Sequence, residues 1–384
     1  MISILSINLH YLYIGFMVLF SNFERIVLKV GSALIAPDGK GCSPHKLFPI
    51  AQFIIECRAR GIEVVLVSSG SIAAGRQYFP KANCDSIAMK KAMAAAGQSD
   101  MVSTWDRLFD FPTCQILLTH GDLADTERYQ SVSATIDKAL SHGILPIVNE
   151  NDTITTDELK VGDNDNLAAI VSAAVNADGL VLCTDVDGLY TGNPRIDESA
   201  KLIPIVESIT AHLKNIDMSA TNDVGTGGMA TKVESAEKAI AHGITTYIIN
   251  GEKPDVFPAL LRDENPGTIF LASKTPMSDK THWLKHTTRS QGEFVVNKSG
   301  EQTVLEGIED ITSDQLLSVN GEFNTGDTVL IKSEDGKSLA KAITKRSSCL
   351  MSYVTELGDA ESEQLTPIAA VFEQEQVSLL KEAN

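Results

Sequence analysis

The chain has 384 residues, 43% hydrophobic and 21% charged, an ordinary globular composition with length enough for two or three cores. Its 32 basic residues against 50 acidic ones leave a net charge of −18, a surface that repels nucleic acid and anionic membrane, so an anionic substrate must be drawn in by a local basic site. The cysteines are scattered without a C-x-x-C pair and the histidines lack metal spacing, which argues against a disulfide frame or a zinc site and for a reducing, cytoplasmic setting.

Residues 1–20 contain no Lys, Arg, Asp or Glu and are mostly apolar, but Asn8 and His10 interrupt the run, and no early positive charge or cleavage site marks a secretory signal. The expectation is an apolar extension over residues 1–22 produced by a start placed too far upstream, with Met17 the true start, rather than a membrane anchor. From Arg25 onward strand and helix alternate. Residues 26–30 read as a buried strand ending at Gly31. Ser43-Pro44 reads as a cap and first turn, and Leu47, Ile50, Ile54 and Cys57 form a helical stripe stopped by Gly61. Residues 63–68, 115–118, 144–148, 179–183 and 245–249 repeat the apolar strand theme. Strands without polar alternation, flanked by helices, imply a parallel sheet covered on both faces, with ligands beyond the carboxyl ends of its strands. Past about Ala272 the pattern becomes short β-rich runs at 293–296, 328–331 and 339–344, with Gly300, Gly321, Gly326 and Gly336 expected at turns. This predicts a small β domain followed by an acidic helical tail, joined to the first domain within residues 268–276.

The rim predicted for the sheet collects the residues that carry chemistry. Lys29 stands alone among apolar neighbours at a strand end, where an unpaired ammonium is expensive to bury; it is either a snorkelled surface lysine or a cation set against a phosphoryl group in flight. G-T-G-G-M-A-T-K (225–232) opens a helix over 229–242 with bare backbone N–H groups and a lysine, an anion cradle that lacks the Gly-Lys-Ser/Thr ending of a Walker loop. G-D-N-D-N (162–166) precedes a helix over 167–176 and holds more acids and amides than capping can use. N-E-N-D (149–152) is a second polar cluster that a tight turn could also explain, and Ser69-Gly70 is either a small anion cradle or a plain strand-to-helix turn. Lysines with glycine amides suit a triphosphate; Asn, Asp and Ser suit a small zwitterion. No general base stands out, and an acceptor that is already a carboxylate needs none.

These stretches, together with V-L-K-V-G-S (27–32), V-S-S-G-S-I-A-A-G (67–75), A-A-G-Q-S (95–99), V-G-D-N-D-N-L (161–167) and T-D-V-D-G-L-Y (184–190), resemble the glutamate 5-kinases of the amino-acid kinase superfamily, in family order across residues 26–251. G-E-F-N-T-G-D-T-V-L-I (321–331) resembles, less specifically, the core turn of PUA domains. The resemblance implies an α/β three-layer αβα sandwich with a mainly parallel open sheet over residues 23–272 and a PUA-like β domain over 277–384. It implies ATP-dependent phosphorylation of the glutamate side-chain carboxylate with Mg2+, the first step of proline biosynthesis, with proline as feedback inhibitor and a dimeric or tetrameric assembly. Carried over motif by motif, Lys29 and Lys232 would contact the ATP phosphates and Asp165 would orient both lysines. Ser69, Asn149, Asp152 and Asn164 would hold glutamate. Thr184 and Asp185 would meet the nucleotide, and Thr226, Gly227, Gly228, Met229, Ala230 and Thr231 would wrap its phosphates. Rival readings are a family member acting on aspartate, acetylglutamate, carbamate or uridylate, and an RNA-binding PUA protein. Residues 275–384 hold 10 basic against 18 acidic residues, which disfavours phosphate-backbone contact. Two departures stand out: V-G-S-A where the family has V-G-T-S, so Ser32 must supply any hydroxyl, and His120 where a basic residue is expected.

Overall fold

The computed structural model describes residues 18–80, 86–155, 164–194, 196–210, 213, 228–307, 310–356, 371–373 and 376–380. It divides into two compact units, Met1–Thr119 with Ser133–Lys274, and His120–Val132 with Thr275–Asn384.

In the first unit an eight-stranded sheet has the order β3-β4-β2-β1-β5-β7-β8-β6. The strands are β1 (Arg25–Val30), β2 (Glu63–Ser68), β3 (Thr113–Leu118), β4 (Leu145–Glu150), β5 (Gly179–Thr184), β6 (Ile205–Val206), β7 (Thr245–Asn250) and β8 (Thr268–Phe270). Every pairing is parallel except that of β7 with β8. The helices of this unit are α1 (Ser32–Ile35), α2 (Pro44–Ala59), α3 (Ser71–Gly75), α4 (Ile87–Asp106), α7 (Asn164–Ala174), α8 (Met229–Ala241) and α9 (Val256–Leu261), whereas α5 (His120–Ala124) belongs to the second unit and the division between the units falls within α6 (Thr126–Ser141).

Strand parity sorts the side chains into two cores. Ile26, Leu28 and Val30 of β1, with Val64, Leu66, Ile147 and Val181, face one way into a cluster that holds Phe53 of α2, Trp105 of α4 and Phe257 of α9. Val27 and Lys29 therefore face the opposite way, towards α7, which packs on β1, β2, β4 and β5, and on α8. Every residue of α7 except Asn166 is buried, as expected of a helix enclosed on all sides. Burying each large aliphatic side chain contributes about 1.5–3 kcal/mol, and the two apolar faces lock the register of the sheet. Phe20, from the stretch assigned to the apolar extension, is 1% exposed and packs against Phe53 and Tyr247. Helix α7 begins at Asn164, three residues before the expected start, because Asn164 and Asp165 form its first turn rather than a cap ahead of it.

The second unit contains a five-stranded sheet of order β10-β9-β11-β12-β13, formed by β9 (Gly292–Val296), β10 (Leu316–Gly321), β11 (Thr328–Ser333), β12 (Ser338–Ile343) and β13 (Val377–Leu379). Around it lie α10 (Asp279–His286), α11 (Lys298–Glu306) and α12 (Ser348–Glu356). Phe294, Phe323 and Phe372 centre its core. Gly321, Gly326 and Gly336 have the positive φ expected of turns, but Gly300 does not: it lies in α11, capped by the Asn297 side chain accepting from Gly300 N–H at 2.9 Å. Of the tail expected to be helical, the described elements are the helix α12 and the strand β13, while residues 357–370, 374–375 and 381–384 lie outside the described set. Within this unit the Trp283 indole N–H donates to the Leu123 carbonyl at 3.0 Å, tying α5 to α10.

Candidate active site at the carboxyl rim

β1 lies between β2 and β5, at the point where the chain turns from one half of the sheet to the other, and its last residues open onto the rim where such sheets bind ligands. The parity that puts Lys29 on the α7 face sends its ammonium to Asp165, with Nζ 2.7 Å from Oδ1. From the first turn of α8, Lys232 reaches the other oxygen, Oδ2, at 3.0 Å. The Thr231 hydroxyl stands 3.2 Å from the same Oδ2 and 2.8 Å from the Gly228 carbonyl. Lysines 203 positions apart are thus brought to one carboxylate, and all three residues are buried: Lys29 5% exposed, Lys232 5% and Asp165 1%.

Burial alone would push the Asp165 carboxyl up, but the two ammoniums outweigh it and hold it well below the usual carboxylate range. The Lys232 pKa is also lowered, which for a cation disfavours the charged form: burial lowers it, Asp165 opposes the shift, and Lys29 adds to it. The asymmetry is physical. Two cations share one anion, so the anion is over-compensated and each cation under-compensated. The N-terminal end of α7 adds further positive potential at Asp165.

Helix α8 starts at Met229 after Gly228, whose extended backbone offers no side-chain cap to the first N–H groups. Met229, Ala230 and Thr231 thus present the amides of an uncapped first turn beside the Lys232 ammonium, the Lys232 N–H itself donating to the Gly228 carbonyl, while Thr226 and Gly227 lie outside the described residues. At the end of β5, Thr184 Oγ1 donates to the Asp185 carboxylate at 3.1 Å, and Asp185 is near enough to act electrostatically on Lys232.

Across β1 from β5 lies a polar cluster. Asp152 follows β4, is 5% exposed, and accepts a 2.7 Å hydrogen bond from the Ser71 hydroxyl at the start of α3. Burial raises its pKa, and the Ser71 bond only partly opposes this. Asn149 is fully buried in β4 and its Nδ2 donates to Gln98 Oε1 at 2.8 Å. Asn164 Oδ1 accepts the Glu150 N–H at 3.3 Å, which joins the head of α7 to the end of β4. Ser69, 5% exposed, donates its backbone N–H to the Val30 carbonyl. Gly70 then turns the chain at φ 100°, where a Cβ would stand 2.8 Å from Ile35 Cβ, so only glycine fits. The α3–α4 crossing is closer still: a Cβ on Gly97 would meet the Ser71 carbonyl oxygen at 2.0 Å.

The sequence had singled out neither Ser71 nor Gln98 as a partner, although both lie in the quoted glycine-containing stretches. It also gave no role to Asp187, whose Oδ1 accepts from Asn250 Nδ2 at 2.8 Å and pairs with Lys253 at 2.7 Å, joining the ends of β5 and β7. Ser32 is the first residue of α1, and His120 falls in the second unit. Among the described residues no helix is long and apolar enough to cross a membrane, and no cluster of three or more His, Cys, Asp or Glu could hold a metal ion.

Two buried cations on one carboxylate, beside an uncapped helix end and opposite a pocket of acids and amides, define an α/β domain built to hold an anion next to a small polar molecule. The model of the amino acid kinase family matches residues 24–250. A glutamate 5-kinase 1 from Pseudoalteromonas translucida is 54% identical, over 94% of this chain and 99% of its own length. A glutamate 5-kinase from Idiomarina loihiensis is 46% identical over the same shares, and one from Salinibacter ruber is 43% identical over 84% of this chain and 88% of its own. The chain belongs to the amino acid kinase family, in the group of the glutamate 5-kinases.

Proposed function

We propose that the chain transfers the γ-phosphoryl group of ATP to the side-chain carboxylate of L-glutamate, giving L-glutamyl 5-phosphate and ADP. The Lys29–Asp165–Lys232 arrangement carries this reading, because a buried site with two cations on one anion is electrostatically incomplete until a further anion arrives. In the transfer a glutamate carboxylate oxygen forms the new bond to Pγ, while the bond from Pγ to the β–γ bridging oxygen breaks and ADP leaves with that electron pair. Lys29 and Lys232 stabilise charge moving across the phosphoryl oxygens, and Asp165 holds both ammoniums in place. The N–H groups of Met229, Ala230 and Thr231 cradle phosphate, Thr226, Gly227 and Gly228 join them in wrapping it on the family resemblance, and Thr184 and Asp185 meet the nucleotide. Ser69, Asn149, Asp152 and Asn164 hold glutamate. The acceptor is ionised at neutral pH (a Glu carboxyl has a pKa of about 4.3), so no base is required. Mg2+ would be held by ATP phosphate oxygens and water, since no cluster of protein ligands offers a cage among the described residues.

On the family resemblance the product feeds proline synthesis in the cytoplasm, proline inhibits at the glutamate pocket, and the chain assembles as a dimer or tetramer. Residues 23–272 form the catalytic domain on this reading, and 277–384 a PUA-like domain that contributes no reacting group. The test is ATP turnover with glutamate, aspartate or acetylglutamate in the presence of hydroxylamine, which traps an acyl phosphate as its hydroxamate. Hydroxamate from glutamate alone is expected; hydroxamate from aspartate but not glutamate, or from neither, would overturn the reading.

A further inference from the structure

The amide of Asn149 has one end occupied and one end free. Its Nδ2 donates to Gln98 Oε1 at 2.8 Å, and Gln98 Nε2 in turn donates to Gln115 Oε1 at 3.2 Å on the edge strand β3. Asn149 Oδ1 is buried with no partner among the described residues, and so is Asp152 Oδ1, whose companion Oδ2 is held by Ser71. A buried acceptor left empty forfeits the hydrogen bonds it had in water, so two of them together call for a donor. The same stretch of α4 supports both residues. Gly97 lies against the backbone of Ser71, the residue that holds Asp152, and its neighbour Gln98 holds Asn149.

We infer that Gln98 is a positioning residue that fixes the polarity of the Asn149 amide, so that Asn149 Oδ1 and Asp152 Oδ1 jointly accept the ammonium group of the amino-acid substrate. The inference rests on the glutamate reading above. An ammonium brings N–H donors and no acceptor, matching two vacant oxygens. Without Gln98 the Asn149 amide is free to rotate and to offer Nδ2, which repels an ammonium. The selectivity for an amino acid over a plain dicarboxylate then depends on a residue that does not touch it.

The experiment compares the parent with Gln98→Met and Gln98→Glu, using the KM for glutamate and the competitive inhibition constant of glutarate, which keeps both carboxylates and lacks the ammonium. Methionine fills the same volume without an acceptor; glutamate at 98 keeps an acceptor, and the exposed Gln115 can rotate its own amide to donate to it. The expected result is a rise of about tenfold in glutamate KM for Gln98→Met, a glutarate constant within about threefold of the parent, and recovery of most of the glutamate affinity in Gln98→Glu. Thermal melts establish that both variants fold. Equal losses for glutamate and glutarate, an unchanged KM in Gln98→Met, or a Gln98→Glu variant as impaired as Gln98→Met would each overturn the assignment. A parent that makes no glutamyl hydroxamate would instead remove the glutamate reading beneath it.

Discussion

Replacing Asp165 with asparagine changes one atom and removes the anion that two buried lysines share. At about 3 Å each ion pair is worth roughly 5–6 kcal/mol at an effective dielectric of 20, against desolvation penalties of several kcal/mol per ion. The net loss on removing one partner of a buried pair is about 3–5 kcal/mol, because the lysines stay buried and now repel each other uncompensated. For a domain of this size that corresponds to a melting shift of roughly 10 °C or more. The pH dependence has a defined sign. Burial already lowers the Lys232 pKa, so the folded variant favours neutral lysine. Raising pH towards the ordinary lysine value of about 10.4 lets Lys232 lose its proton and relieves the repulsion. In the parent, Asp165 has a lowered pKa, so its stabilisation is complete above about pH 3.9 and is lost only below that, as pH falls through the lowered value. Chemical denaturation of both proteins at neutral pH and near pH 10 should show the deficit shrinking in alkali. At neutral pH turnover should fall at least a hundredfold, while ATP still raises the melting temperature, because the site has become more positive. An Asp165→Asn protein within about 1 kcal/mol of the parent and turning over at a similar rate would refute the shared-anion account.

The other expectations concern neighbouring groups. Thr231→Ala should lower kcat about tenfold with little change in ATP KM, and Thr231→Ser should restore it, because the hydroxyl beside Asp165 Oδ2 is what matters; an equally impaired serine variant would contradict this. Asp152 has a raised pKa, so the glutamate KM should start to climb on acidification at a pH above the ordinary Asp range, near 4. Asp152→Asn should raise that KM and flatten its pH profile, leaving ATP KM unmoved; a retained acid limb would assign the titration elsewhere. Gly97→Ala drives a methyl into the Ser71 carbonyl, so a loss of at least about 1–3 kcal/mol is expected together with weaker glutamate binding, read by melting and by KM.

What was legible in the sequence was what violates an apolar pattern locally. Lys29 interrupts a buried strand, and the acids and amides of 162–166 exceed the needs of a cap. Both signals need only neighbouring residues. Ser71 and Gln98 were not legible as partners because each bonds across the fold, Ser71 to a residue 81 positions away and Gln98 to one 51 away. In isolation each reads as an ordinary polar residue of a helix. Gly300 was misread as a turn for the opposite reason. Glycine is a turn signal, yet here it meets the Val296 side chain and the Gln315 carbonyl, and close packing inside a capped helix selects it instead.

The electrostatics of the rim also answer a difficulty posed by the whole chain. A protein of net charge −18 must bring together two reactants that are both anionic, a triphosphate and a carboxylate. The surface field opposes both approaches. Countering it with a broad basic surface would raise nonspecific affinity for any polyanion. Here the positive charge is buried instead, spread over Lys29, Lys232 and the start of α8, and Asp165 holds the two ammoniums apart from bulk solvent. In that low-dielectric setting one excess cation acts over the few ångströms where the new bond forms and is hidden beyond them. The carboxylate that neutralises half of that charge is what allows two lysines to be buried side by side at all.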